Sequence, residues 1–241
     1  MDILLFDSHI LKIDEKEIYI SLLRIEINIS YAAKSVRNNH IISEATGLLI
    51  GGWLFSYFPE SNRWIKTGLD LLIDALAYQV YSDGAYIQHS MTYQRLVLDT
   101  LSFVILIAQK KNITLPTIIH ESHHKTLIFL YSHVQKNGHL PNYGSNDGAY
   151  LFRLSSLPYR NFKPSLNLAS ALIHQSPLFK DGQELIQFFG IPTKKAYATI
   201  TKHTIFDDGG YYILKNDHFF IMCRCHSYKH RPSQIDMLHI D

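Results

Sequence analysis

Cysteine, net charge and long apolar runs are all scarce in this sequence, and each scarcity excludes a class of protein. Only two of the 241 residues are cysteines, which excludes a disulfide-rich secreted scaffold. The formal net charge is only +2, so there is no electrostatic signature of a nucleic-acid partner. The apolar run around residues 104–108 is too short to cross a bilayer, and we expect no membrane span. The first 17 residues lack a signal-peptide cleavage pattern, so localisation is unknown from the chain itself.

Apolar and aromatic residues, by contrast, are abundant. They make up 46% and 12% of the chain, which is enough for a sizeable core and argues against disorder. Histidine is also frequent, with 14 copies.

Up to about residue 193 the apolar side chains follow helical spacing. Residues 18–31 also alternate as a strand would, but the length of the segment favours a helix. Ser61 and Ser90 are predicted N-caps of two long helices, and Pro116 is predicted to open another that runs to about residue 136. Two shorter helices are predicted at about 164–175 and 180–189.

After residue 193 the pattern changes to that of antiparallel strands. Strands are predicted at 197–206, 211–216 and 218–225, separated by turns at 207–210 and 216–217. The sequence therefore predicts an α+β protein with a helical domain at 1–193 and a strand domain at 194–241. A few strands with no closing partner would leave an open edge, which an oligomer could complete.

Four polar clusters fall mostly at the ends of predicted elements. They are Asn38-Asn39-His40; residues 81–96 with Asp83, His89, Tyr93 and Arg95; residues 138–151 with His139, Asn142, Asn146 and Asp147; and residues 226–241. Capping and turn formation explain each cluster taken singly. Because binding residues collect in loops on a rigid scaffold, four such clusters together favour one shared groove.

The ordered set of motifs resembles the heparinase II/III family of polysaccharide lyases, in the bacterial branch associated with surface polysaccharides. The motifs are "RNNH-x-x-SEA-x-GLL", "W-x-x-x-G", "SDGAYIQHSMTYQRLVLD", "LPNYGSNDGAYLF" and "DDGGYYIL…RPSQIDMLHID", which together run from Arg37 to Asp241. The resemblance implies an incomplete (α/α) toroid followed by the start of an antiparallel β-sandwich, apparently truncated at both ends. It also implies an acidic polysaccharide as partner and a location in the cell envelope or periplasm.

The resemblance implies a β-elimination on a uronate-containing polymer. A base removes the C5 proton, which is poorly acidic because the neighbouring carboxylate is already negative, so that carboxylate must be neutralised or hydrogen-bonded. The match assigns Asn39 and His40 to this task and Tyr93 to proton transfer. The positive end of the helix predicted after Ser90 would favour the phenolate of Tyr93. The alternatives are a C-terminal helix cap for His40 and a core aromatic for Tyr93.

Further residues are expected to bind substrate. They are His89, Arg95, Asn146, Asp147, His230, Arg231 and Gln234. One departure from the family pattern concerns Gln234, which stands where a catalytic histidine is expected, and glutamine cannot transfer a proton at neutral pH.

Two other functions stay open. The first is a non-catalytic glycan-binding or assembly protein that keeps the lyase scaffold, which Gln234 favours. The second is a glycoside hydrolase, which needs two opposed carboxylates, with Glu44, Asp83 and Asp147 as candidates.

We expect no cofactor and no metal. Cys223, Cys225, His226 and His230 could supply zinc ligands, but their spacing matches no common structural zinc site. Alternation along a strand more simply makes the two cysteines a buried or half-buried pair on one face.

Overall fold

A computed structural model describes residues 14–216, 218–225, 227–228 and 239–240. The chain divides into two compact units, Met1–Ala75 and Leu76–Asp241. The helices are α1 (Glu15–Tyr31), a π-helical turn (Ala32–Val36), α2 (Asn39–Leu54), α3 (Ser61–Gln79), α4 (Met91–Lys110), α5 (Thr117–His133), α6 (Lys163–His174) and α7 (Glu184–Phe188). The strands are β1 (Ile205–Phe206), β2 (Tyr211–Lys215), β3 (Phe220–Arg224) and β4 (His239–Ile240). The protein is thus mostly helical with a small sheet, as the α+β prediction states, while the predicted boundary at residue 193 stays a prediction.

Local capping signals fix where several helices begin. The side chain of Ser90 accepts a hydrogen bond from the amide of Tyr93, which confirms it as the N-cap of α4. Pro116 immediately precedes α5, as predicted. Residues 18–31 are helical, so the strand alternative for them is wrong.

In the first unit, glycines allow helices to approach closely. A Cβ added to Gly68 of α3 would lie 2.6 Å from the carbonyl oxygen of Ala45 in α2. No side chain fits at that distance, so glycine permits this packing. Beside it, Trp64 is fully buried and its indole N–H donates to Oε2 of Glu26 at 3.0 Å.

In the second unit, α4 forms the centre of the helical layer, with α5 and α6 packed against it. Among the described residues, α4 is the one helix with the length and mean hydropathy (1.3) to cross a membrane. However, 83% of its most apolar stretch is buried inside the protein. That burial is typical of a core helix.

Aromatic side chains attach the sheet to α5. The ring centroid of Phe129 lies 5.0 Å from that of Phe206 and 5.1 Å from that of Tyr211, both in edge-to-face geometry. The four strands pair antiparallel in the order β1-β2-β3-β4.

The two faces of the sheet differ in exposure. Ile213 and Met222 are buried against the helical layer, whereas Tyr212 and Leu214 on β2 are exposed. The outward face of the sheet is therefore apolar and exposed.

The strand predicted at 197–206 is wrong for most of its length, because only Ile205 and Phe206 pair with β2.

A carboxyl group is buried in the middle of α4. Asp99 has no exposed surface, and desolvation raises its pKa to about 7. The hydroxyl of Ser165 and the guanidinium of Arg95 lower that pKa, but they do not cancel the effect of burial. Burial in the folded state therefore favours the protonated form of Asp99 over the ionised form.

We predict that Asp99→Asn gains stability relative to wild type as pH rises from 5 to 8. The pKa in the folded state, about 7, lies above that of an unfolded aspartate, so wild type loses stability as Asp99 ionises, whereas asparagine does not ionise. Urea unfolding should show the difference in unfolding free energy widening by about 1–3 kcal/mol over this range. The exposed carboxylate of Asp74 supplies the control, Asp74→Asn. A difference that stays constant with pH would contradict the assignment.

Candidate active site

The N-terminal end of α4 is joined to the loop formed by residues 142–162, which we call the docked loop. The hydroxyl of Ser90 donates to the carbonyl of Ser145 at 2.6 Å, and the amide of Met91 donates to the carbonyl of Tyr143 at 3.1 Å. Gly144 has a φ of +80°, and a Cβ there would lie 2.2 Å from the carbonyl oxygen of His89. Only glycine fits this close approach, so the loop is held directly against the start of the helix.

Tyr93 and Asp147 meet where the loop crosses the helix. The Tyr93 hydroxyl donates to Oδ2 of Asp147 at 2.6 Å, and Asp147 is exposed to solvent. This hydrogen bond, helped by partial burial, raises the pKa of Tyr93 to about 12, and it lowers the pKa of Asp147. The expectation that the helix dipole favours the phenolate is therefore wrong for this site, because a full negative charge at hydrogen-bond distance outweighs it. Tyr93 keeps its proton at neutral pH.

Asn146 lies beside this pair in a small polar network. Its side-chain oxygen accepts from the hydroxyl of Tyr159 at 2.7 Å, and its side-chain nitrogen donates to Oδ1 of Asn142 at 3.0 Å. Tyr159 was not predicted from the sequence, and its hydroxyl also lies 3.4 Å from the hydroxyl of Thr92. Its place in a short aromatic and basic stretch after Pro158 was the available signal.

The buried side chain of Arg95 holds the docked loop against α4. Its guanidinium carbon lies 4.1, 4.5 and 4.4 Å from the ring centroids of Tyr150, Tyr159 and Phe162. It donates to the carbonyl of Tyr159 at 2.6 Å and to that of Ala149 at 3.4 Å. Because Arg95 has no exposed surface, these contacts give it a positioning role; substrate binding by Arg95 stays a prediction.

His89 is also buried, and it lies among aromatic and basic side chains of the sheet. Its Nδ1 is 3.1 Å from the hydroxyl of Tyr211, and its Nε2 is 3.2 Å from Nη2 of Arg224. Its backbone has a φ of +50° in the left-handed region, so this position is strained for a side chain other than glycine. The predicted substrate contact of His89 is likewise untested.

Asn39 and His40 belong to the first unit and occupy the first turn of α2. Asn38 is the N-cap, with Oδ1 accepting from the amide of His40 at 3.0 Å. The alternative of a C-terminal cap for His40 is therefore wrong. Burial raises the pKa of Glu44, which lies one turn further along α2, and the nearby His40 offsets only part of this rise. The start of α2 thus presents an amide, an imidazole and a carboxyl group.

Other candidates have structural partners or lie outside the described residues. The carboxylate of Asp83 accepts from the amides of Ala85 at 3.1 Å and Gly209 at 2.8 Å. Cys223 is half-buried, but Cys225 is exposed, so the expectation of burial fails for it. The predicted residues that lie outside the described residues are His226, His230, Arg231 and Gln234.

Comparisons of the sequence with known proteins point to one family. The model for the N-terminal region of heparinase II/III proteins matches residues 14–156. A heparin-sulfate lyase of Bacteroides thetaiotaomicron is 26% identical over 190 residues, covering 74% of this chain and 25% of that protein. A heparin-sulfate lyase of Bacteroides stercoris is 36% identical over 50 residues, covering 21% of this chain and 8% of that protein. The chain therefore spans a quarter or less of the length of these two relatives.

Comparisons of the structure agree in fold. A crystal structure of heparinase III matches with a TM-score of 0.54 at 21% identity, covering 78% of this chain and 29% of that one. A heparan sulfate lyase from Pedobacter heparinus matches with a TM-score of 0.52 at 17% identity, covering 82% of this chain and 30% of that one.

We predict that Asp147→Asn lowers the pKa of Tyr93 from about 12 toward 10, the ordinary value for tyrosine. The amide lacks the negative charge that stabilises the phenol. Titration of ¹³C-labelled tyrosine by NMR, with Tyr93→Phe to assign the signal, measures this change. Asp181→Asn, a control whose carboxylate pairs with Lys163, should leave the Tyr93 signal where it is. An unchanged Tyr93 titration in Asp147→Asn would show that the pair is not formed in solution.

Proposed function

The chain belongs to the heparinase II/III family, and from this premise we propose that it is a polysaccharide lyase acting on a uronate-containing acidic polysaccharide. The relatives are heparin-sulfate lyases, and the substrate class of this chain is proposed from them. The observation that carries the proposal is the Tyr93–Asp147 pair at the accessible start of α4, inside the matched region.

The proposed reaction is a β-elimination. The C5 proton passes to a base, its electron pair forms the C4–C5 double bond, and the C4–O bond breaks. The leaving glycosidic oxygen keeps that bond's electron pair and takes up a proton. Neutralising or hydrogen-bonding the uronate carboxylate makes the C5 proton more acidic, and we assign this task to Asn39 and His40.

Tyr93 is proposed as a proton-transferring residue. With a pKa of about 12 it holds its proton at neutral pH, which suits donation to the leaving oxygen. Its attachment to the first turn of α4 and its contact with Asp147 restrict its orientation before substrate arrives.

The docked loop is proposed to contact the sugar directly. Asn146 and Asp147 are exposed, and an amide and a carboxylate suit the hydroxyl groups of a saccharide. Arg95 and His89 are buried, so we propose that they support the site by holding the loop and the sheet. Substrate contacts by His230, Arg231 and Gln234 remain part of the proposal.

The finer architecture is also a proposal. We expect the helices to form part of an (α/α) toroid and the strands to form part of a β-sandwich. The exposed apolar residues Tyr212, Leu214 and Ile221 on one face of the sheet support a second layer, from this chain, a longer form of it or an oligomer. By family resemblance the protein would act in the cell envelope or periplasm.

The two other functions make different demands. A hydrolase needs two free opposed carboxylates. The carboxylate of Asp83 already accepts hydrogen bonds from two backbone amides, which argues against it as one of that pair. A non-catalytic glycan-binding protein would give binding without cleavage, which the following experiment distinguishes.

We predict that Tyr93→Phe abolishes turnover while leaving polysaccharide binding nearly intact. Phenylalanine keeps the ring and removes only the hydroxyl, so kcat should fall by about 10²–10⁴-fold. Asn39→Ala should weaken both binding and rate, because the carboxylate contact exists before the reaction and strengthens during it. Absorbance near 232 nm follows the unsaturated product across a panel of acidic glycans.

Tyr197→Phe is the matched control, because Tyr197 is an exposed tyrosine outside the site. Unsaturated product formed equally fast by Tyr93→Phe would remove Tyr93 from the mechanism. Binding by wild type without any unsaturated product would favour the glycan-binding alternative.

A further inference from the structure

A cavity separate from the Tyr93–Asp147 pair lies in the unit formed by residues 76–241. A cavity of about 520 Å³ opens between the C-terminal end of α5, the start of α6 and the β2–β3 hairpin. Four lysines line it: Lys136, Lys163, Lys202 and Lys215. None of its lining residues belongs to the Tyr93 network.

Two of these lysines have no carboxylate partner among the described residues. Lys163 pairs with Asp181 at 2.8 Å, so its charge is compensated. The ammonium of Lys215 instead donates to the backbone carbonyl of Ser132 at 3.0 Å. The ammonium of Lys202 lies 4.4 Å from the ring centroid of Tyr131, which is a cation–π contact. Lys202 and Lys215 therefore bring to one cavity two positive charges that no carboxylate among the described residues neutralises.

The environment of these two ammonium groups is unfavourable in the absence of an anion. Both side chains are half-buried. Burial lowers the pKa of Lys202 to about 8, with a further contribution from Lys215, and burial also lowers the pKa of Lys215. An anion between them would offset both the desolvation and the mutual repulsion.

Aromatic rings complete the cavity. Phe179 and Phe219 line it beside the lysines, and Phe219 is 43% exposed although it is fully apolar. Lysines beside aromatic rings suit a charged sugar as ligand. The sugar's substituents carry the negative charge, and its ring has apolar C–H faces.

We infer that this cavity binds the sulfate or carboxylate group of an acidic saccharide, with Lys202 and Lys215 as the anion ligands and an aromatic ring against the sugar face. The inference rests on the proposed function, because it supplies a second contact for the same polymer. The site holds the polymer without taking part in bond cleavage, so it should affect binding and KM and leave kcat unchanged.

The test measures binding in a Tyr93→Phe background, so that no probe is cleaved. The probes are a fluorescently labelled heparin tetrasaccharide, which carries sulfates, and a hyaluronan tetrasaccharide, which carries carboxylates only. We expect Lys202→Met and Lys215→Met each to weaken binding of at least one probe by about five- to twentyfold. Lys202→Arg, which keeps the charge, should retain most of the affinity. Lys195→Met, at an exposed lysine outside the cavity, should stay within about twofold of the parent protein.

The two probes distinguish the anionic group. A loss confined to the heparin probe assigns the cavity to sulfate, and a loss with both probes assigns it to carboxylate or to either group. Equal losses in Lys195→Met, or unchanged affinity in both cavity variants, would overturn the inference.

A second measurement, in the same Tyr93→Phe background, follows the ionisation of Lys202 instead of a loss of affinity. Reductive ¹³C-methylation followed by NMR titration reports the pKa of Lys202 in that protein. We expect that pKa to rise from about 8 when the tetrasaccharide binds, because the anion stabilises the ammonium form. A pKa that does not respond to saturating probe would also overturn the inference.

The outcome is separable from that of the proposed function. Unsaturated product from wild type together with lysine-independent binding would overturn the cavity assignment and leave the lyase standing. Lysine-dependent binding without any unsaturated product would leave the cavity assignment standing and remove the lyase.

Discussion

The enclosure of Arg95 by three aromatic rings is the interaction on which the candidate site depends. A guanidinium buried without compensation is strongly unfavourable, and here the compensation comes from the faces of Tyr150, Tyr159 and Phe162 and from two backbone carbonyls. All of these partners belong to the docked loop or to its end. Because Arg95 is one turn of helix from the start of α4, satisfying its charge also fixes the loop beside Tyr93. The positions of Asp147 and Asn146 therefore follow from a buried cation that does not itself reach the surface.

The docked loop and the cavity lined by Lys202 and Lys215 have opposite electrostatic character, and we propose a different role for each. At the start of α4, the negative Asp147 keeps a proton on Tyr93, which prepares the phenol to donate it. In the cavity, Lys202 and Lys215 present positive charge with no carboxylate partner among the described residues, which suits an anionic polymer. In this proposal an acidic polysaccharide binds and reacts at the first site and gains an additional contact at the second, so Lys202 and Lys215 would affect affinity without affecting the chemistry.

Features with local causes could be predicted from the sequence, and features with distant causes could not. Ser90 and Pro116 mark the starts of α4 and α5 because capping depends on a few neighbouring residues. By contrast, alternation alone predicted a strand at 197–206, but a strand needs a partner, and only Ile205 and Phe206 find one. The dipole argument for Tyr93 was also local, whereas Asp147, which decides its pKa, lies 54 residues away in sequence. The family motifs supplied the list of site residues, but they gave no sign that Arg95 is buried.

Amide hydrogen exchange of the docked loop in Arg95→Lys tests most directly whether Arg95 holds the loop on α4. Lysine keeps the positive charge but cannot place a planar guanidinium among three rings and donate to two carbonyls. We expect amides of residues 142–162 to exchange at least about tenfold faster in Arg95→Lys, with α5 unchanged. Arg160→Lys, at an exposed arginine of the same loop, should not change the loop's exchange. Equal protection of the loop in wild type and Arg95→Lys would contradict the account.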